Sequence, residues 1–316
     1  QALRYAKMAG KDTDIYKILS PKKVDLIYTF HLKKIINKYI NWIRPGIVFF
    51  NLPLDREYQE LIEVNTRVPN HEIATHNGLK YLKLDFTKGF PELLNIAITV
   101  KTNLIKKLPL KFKIFNFPND PLFVFANKKT TYYDIDNPVL VNAVNEITKN
   151  KITLEEKVKA IHNWFRKNII HWSRYININR LPEEAEFKPK KISDIYLKRT
   201  GACNHISDLF VGMLRILKIP ARWISGAYIN IYNANANVHV TSEVFDSQNK
   251  RWLYIEPDGT YFHIPLGFNG WNHIIFSADD DIPAPQGYLN IHWLESFERW
   301  KIGNQEVIKT RIEYLE

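Results

Sequence analysis

One cysteine occurs in 316 residues, and its surroundings suit chemistry. Cys203 follows Gly201-Ala202 and opens a run in which Ile206, Leu209, Phe210, Met213, Leu214 and Leu217 recur at helical spacing. A cysteine at a helix start faces unpaired N–H groups and the positive end of the dipole, which favour the thiolate. The same N–H groups can hold an oxyanion. Further on, His239 lies in the strand-like run VHVTSEVF, where Val238, Val240 and Val244 alternate with His239, Thr241 and Glu243. That alternation sends His239 to the face opposite the valines. In RWLYIE, Leu253 and Ile255 take one face and Trp252, Tyr254 and Glu256 the other, with Asp258 close behind. Two adjacent antiparallel strands can then carry His239 and Glu256 on one face. A thiol, an imidazole and a carboxylate from three elements is the composition of a nucleophilic triad: the thiolate attacks, the imidazole moves the proton, the acid orients the imidazole.

Each member also has an inert reading. A free cysteine often packs as a small hydrophobe, and a lone strand histidine is more often a core or surface residue than a base. His205 is a rival base, but i and i+2 point to different sides of a helix, so it does not face Cys203. Asn204 can line the site, and Trp172 or Tyr175 can help hold an oxyanion or substrate. His162 lies beside the apolar face of its own helix and reads as a packed or surface residue.

The elements that must position these groups follow from the rest of the chain. Residues 1–20 suggest an exposed helix ended by Pro21. From Val24 to Ile105 the short runs DLIYTFHL, IVFFNLPL, LIEVNTRV, LKYLKLDF and LLNIAITV, separated by turn residues, predict a small β-sandwich or sheet domain. The expected division is an N-terminal β-rich domain with a leading helix over 1–110, a Lys-, Phe- and Pro-rich linker over 111–136, and a catalytic core with an aromatic-rich extension over 137–316. In that core Pro138 can start a helix, and Thr153 with Glu156 forms a capping box for LEEKVKAIHNWFRKN. A polar stretch over 172–191 precedes a short helix, Ile192 to Lys198. Gly201 is expected to let the backbone turn into the helix of Cys203, Pro220 to end that helix, and a strand to run from Ala221 to Tyr232. The tail aromatics, Trp271 and Trp300 among them, are expected to cover the sheet.

The composition bounds the function classes. No apolar run is long enough to span a membrane, and no signal peptide is visible at the Gln1 start. The compartment stays open, with an extracytoplasmic one favoured. A single cysteine excludes an intramolecular disulfide and any Cys-rich metal site. His31, His71 and His76 lack metal-ligand spacing, and Asp279-Asp280-Asp281 reads as a solvated turn. The net charge is +11, most of it in residues 1–150. The lysines are scattered rather than blocked and no nucleic-acid motif appears, so no specific nucleic-acid partner is expected.

The stretch from Gly201 to Thr260 resembles the core of the transglutaminase-like superfamily of papain-type thiol enzymes, in its bacterial form. The matching residues are Gly201-Ala202-Cys203, Lys218-Ile219-Pro220-Ala221-Arg222, His239 to Phe245 and Trp252 to Pro257. The helix over LEEKVKAIHNWFRKNI also resembles the family's lead-in. The family's acid falls on Glu256 here, with Asp258 the other candidate, and Thr241 replaces an aromatic. The resemblance implies an α+β fold, an antiparallel β domain followed by helices packed on an antiparallel sheet. It also implies a triad of Cys203, His239 and Glu256 or Asp258, a peptide or protein substrate, and no cofactor. The expected activity is cleavage of an amide as a cysteine protease or amidase. The alternatives are amine transfer to a glutamine side chain and a catalytically inactive peptide- or envelope-binding module. IIFSADDDI resembles a segment of the related peptide:N-glycanases, whose Cys-x-x-Cys zinc sites are absent here.

Overall fold

The computed structural model describes residues 22–56, 59–102, 128–172, 188–230, 235–246, 251–258, 273–278 and 284–314. The expected 1–20 helix, most of the linker, Tyr175, Trp271 and Asp279-Asp280-Asp281 lie outside these residues. The architecture is α+β: an N-terminal antiparallel β region, then helices packed against a sheet.

Two compact units make up the chain, and the backbone passes between them after Ile224 and again after His239. The sheet unit holds β1 (Lys22–Phe30), β2 (Ile47–Asn51), β3 (Gln59–Thr66), β4 (His71–His76), β5 (Leu79–Asp85) and β6 (Leu94–Thr102). It also holds β12 (His273–Ala278), β13 (Tyr288–Leu289), β14 (Ile308–Tyr314) and parts of β9 (Ala221–Asn230) and β10 (Asn235–Asp246). One sheet runs β12-β9-β10-β14-β1-β6-β3 and a second runs β13-β2-β5-β4. β1 is central because its pattern allows it: Val24, Leu26, Tyr28 and Phe30 alternate and are fully buried. Their core is shared with Phe50, Leu82 and Leu84 of the second sheet.

Sequence periodicity misses two elements here. Leu32–Tyr39 is a helix, α1, which buries Leu32, Ile35 and Ile36 at helical spacing under three lysines. β4 carries no periodic signal because its residues are half-buried or exposed, leaving no apolar alternation to read. The tail also behaves differently. β14 pairs antiparallel with β1, Val24 opposite Ile312, so residues 271–316 belong to the sheet unit rather than extending the helical core. Of its aromatics, Phe276 is buried while Trp300 lies 77% exposed.

The helical unit contains α2 (Pro138–Ile147), α3 (Leu154–Asn168), α4 (Ile192–Lys198) and α5 (Cys203–Ile216). Two short strands, β7 (Ile170–His171) and β8 (Thr200–Gly201), pair in parallel, and β11 (Arg251–Ile255) pairs with the end of β10. The helix starts follow local chemistry. Asn137 accepts from the Val139 amide at 3.0 Å ahead of Pro138. Thr153 and Glu156 form the reciprocal capping box. α5 lies at the centre, with Leu209, Phe210, Met213 and Leu214 fully buried and Phe210 edge-on to Phe165 at 5.3 Å. A Cβ on Gly212 would stand 2.2 Å from Ile192 Cδ1, so that glycine sets how closely α4 and α5 pack. Among the described residues, no helix is long and apolar enough to cross a membrane.

Three of the motif residues form a structural clamp. The Arg222 guanidinium donates through Nε and Nη2 to Glu243 Oε2, at 3.0 and 2.9 Å, and its plane lies 3.8 Å from the Trp252 ring. Glu243 is fully buried. The pair ties β9 to β10, and Trp252 covers it from β11, so their appearance together in the sequence reports sheet assembly. Thr241, where the family carries an aromatic, donates its hydroxyl to the Ile255 carbonyl at 2.8 Å. On β10 Thr241, Glu243 and His239 are buried, as is Val244, while Val238 and Val240 are only half-covered.

Candidate active site

Cys203 is the first residue of α5, half-buried, with Ala202 as an extended N-cap that places no side chain over the first turn. The approach to it is held by β7. His171 is in register with Gly201, and the Trp172 amide donates to the Gly201 carbonyl at 3.0 Å. Trp172 is thereby fixed two residues from the cysteine. Asn204 is exposed. One helical turn on, the Ser207 hydroxyl donates at 3.2 Å to the carbonyl of Val240, the residue after His239.

The need for Gly201 differs from the expected one. It lies in β8 and is absent from the positive-φ residues, so it does not serve a left-handed turn. A Cβ there would meet His205 Cβ at 2.7 Å. His205 folds back over the helix start, where its Nδ1 accepts from the Ala202 amide at 3.3 Å. Burial, and then the neighbouring His171, hold the His205 pKa below the ordinary histidine value. With Nδ1 accepting and the ring biased to neutrality, His205 works as a cap of the cysteine's helix.

The two candidate acids are coupled. Glu256 Oε1 accepts from the Asp258 amide at 3.0 Å, and Oε2 accepts from the Tyr254 hydroxyl at 3.3 Å. Both carboxylates are buried. Two histidines attend them: His162, expected as a packed or surface residue, and His171, not among the candidates. His162, on the buried face of α3, bonds the Glu256 carbonyl through Nε2 at 2.8 Å. Burial lowers its pKa, so the neutral ring donates from Nε2. His171 Nε2 stands 3.9 Å from Asp258 Oδ2. The available signals were weak: a histidine beside an apolar helix stripe, and one just before a long polar stretch.

His239 lies in the sheet unit, 5% exposed. Its ring meets Tyr228 at 5.7 Å and His273 at 5.4 Å between centroids. Cys203, Asn204, Trp172, Glu256 and Asp258 all belong to the helical unit. No cluster of three or more metal-ligating side chains occurs among the described residues.

Residues 141–257 match the model of the transglutaminase-like superfamily. A peptide-N(4)-(N-acetyl-beta-glucosaminyl)asparagine amidase of Drosophila melanogaster is 25% identical over 134 residues, 40% of this chain and 20% of that protein. The chain therefore spans about a fifth of that relative's length. The solved structure of a candidate cysteine protease from Cytophaga hutchinsonii is similar over 94% of this chain and 88% of its own, at 15% identity and a TM-score of 0.54. The periplasmic domain of TgpA from Pseudomonas aeruginosa is similar over 65% of this chain and 66% of its own, at 15% identity and a TM-score of 0.38.

Proposed function

Because residues 141–257 carry the transglutaminase-like superfamily core, we propose that the protein performs thiol acyl transfer at an amide carbonyl of a peptide or protein. Cys203 is the nucleophile, His239 the base, and Glu256, backed by Asp258, the acid that orients His239. His239 takes the thiol proton as sulfur attacks the carbonyl carbon. The tetrahedral oxyanion rests on N–H groups at the start of α5. Collapse expels the amine, which takes the proton from His239 and leaves a thioester. Water, activated by the same imidazole, releases the acid and restores the thiol; an amine in its place would give a new amide.

The supporting observation is how Cys203 is presented. It opens a buried helix whose N-cap residue, Ala202, places no side chain on the first-turn amides, and that helix is anchored through Ser207 to the Val240 carbonyl. The fruit-fly relative's name, an asparagine amidase, supports an amide substrate. Hydrolysis, as a protease or amidase, leads over amine transfer because cleavage requires only water as acceptor.

A second reading has its own support. Tyr254 and the Asp258 amide already engage the Glu256 carboxylate, which suits a core that binds peptides without turning them over. The deciding experiment follows iodoacetamide labelling of Cys203 against pH, alongside peptide cleavage with and without an added amine. Labelling that titrates well below an ordinary thiol, is lost in His239→Ala, and accompanies cleavage supports the enzyme. An unreactive Cys203 in a protein that still binds peptides supports the binding module.

A further inference from the structure

In the sheet unit His239 does not stand alone. His273, the first residue of β12, is 2% exposed, and its ring lies 5.4 Å from that of His239 at a tilt of 48°. In the sheet order β9 separates β12 from β10, so for the two rings to meet, β12 must lie close against β9. Gly226 permits it. A Cβ there would stand 1.9 Å from the Ile274 carbonyl oxygen and 2.7 Å from its carbon, so no other residue fits without moving β12. Tyr228 of β9 completes the cluster, 5.7 Å from His239 and 6.3 Å from His273.

We propose that His273 is a positioning residue for His239, holding its imidazole at a fixed angle from across β9 through ring contact and the backbone around it. This rests on the reading of His239 as the base. The chemistry of His273 suits support rather than proton transfer. Burial, then the neighbouring His239 and His292, keep its pKa well below the usual value, with backbone hydrogen bonds to His239 and Gly226 acting the other way. A ring that stays neutral can hold a neighbour that must gain and lose a proton without repelling it.

The test uses the full chain and reads His239 directly. Ring-nitrogen NMR of His239 is recorded in wild type, His273→Phe and His273→Gln, with labelling of Cys203 measured in parallel and near-UV circular dichroism checking the fold. In His273→Phe the His239 signals are expected to shift or broaden. Labelling is expected to slow about tenfold to a hundredfold, the scale of a misplaced catalytic group. His273→Gln, which keeps a polar hydrogen-bonding side chain, is expected to restore part of both. Unchanged His239 signals in a folded His273→Phe overturn the inference, whatever happens at Cys203. A different result, unaltered Cys203 labelling in His239→Ala, overturns the assignment of the base, while the NMR comparison still decides whether His273 holds His239. Should His273→Phe not fold, His273→Asn carries the same comparison.

Discussion

The backbone amide of Asp258 donates to the Glu256 carboxylate across 3.0 Å. The acids that compete for one role are therefore a single device, in which the first carboxylate shapes the turn that carries the second. Substitutions must respect this. Glu256→Gln keeps an acceptor for the amide and removes the charge. It is expected to retain a near wild-type melting temperature and to lose at least a hundredfold in acyl transfer. Glu256→Ala also strands the amide and the Tyr254 hydroxyl, adding about 1–3 kcal/mol of destabilisation. Asp258→Asn leaves the backbone bond intact and is expected to stay near wild type. Paired melts and rate assays check all three, and an inactive Asp258→Asn beside an active Glu256→Gln would transfer the role to Asp258.

The Arg222–Glu243 pair is buried and shares one carboxylate oxygen between two donors. Cutting it leaves a charge in the sheet. Glu243→Ala is expected to cost about 3–5 kcal/mol in urea unfolding. Arg222→Lys keeps the charge but loses the fork and the stacking on Trp252, and should cost a smaller amount. If Glu243→Ala unfolds at the wild-type midpoint, the clamp is not structural.

What the sequence makes legible divides along a physical line. The capping box at Thr153, the proline start at Pro138 and the apolar stripe after Cys203 are local signals, and each element stands where its residues put it. α1 was hidden because its apolar positions are few and flanked by strands. The pairing of β1 with β14 joins residues nearly a chain length apart, and neither strand's pattern encodes the other. The site follows the same division. Cys203 is visible from spacing alone, because a helix start is local. His162, His171 and His273 act through contacts with the Glu256 carbonyl, Asp258 and His239, which only the tertiary fold creates.

Gly201 and His205 supply a test of the helix start. Gly201→Ala drives a Cβ against His205 Cβ, an atom close to the backbone that cannot swing away. The variant is expected to lose about 1–3 kcal/mol and to lose Cys203 labelling as the first turn shifts. His205→Ala alone removes a cap and should cost about 1 kcal/mol. Alanine at 205 keeps the Cβ in question, so the relieving change is His205→Gly, and the double variant Gly201→Ala/His205→Gly should be more stable than the sum of its single losses implies. Simple additivity in denaturant melts would show that Gly201 serves some purpose other than making room for His205.

His292 makes the acid limit of the fold measurable. It is fully buried, its ring edge-on to Phe276 at 4.5 Å, and neither ring nitrogen has a hydrogen-bond partner among the described residues. Burial pushes its pKa down to about 3. The unfolded chain therefore takes up this proton near the ordinary value of about 6.5, while the folded chain resists it. The stability linked to His292 is complete above that value and falls as the pH drops toward 3, by roughly 2 kcal/mol at pH 5. His292→Phe removes the proton acceptor and the unpaired nitrogens and keeps an aromatic ring beside Phe276. It is expected to be more stable than wild type at neutral pH by about 1 kcal/mol. The margin should widen by roughly 2 kcal/mol at pH 5. Urea unfolding at both pH values decides the matter. A margin that stays constant between them would mean that His292 does not carry the acid sensitivity assigned to it.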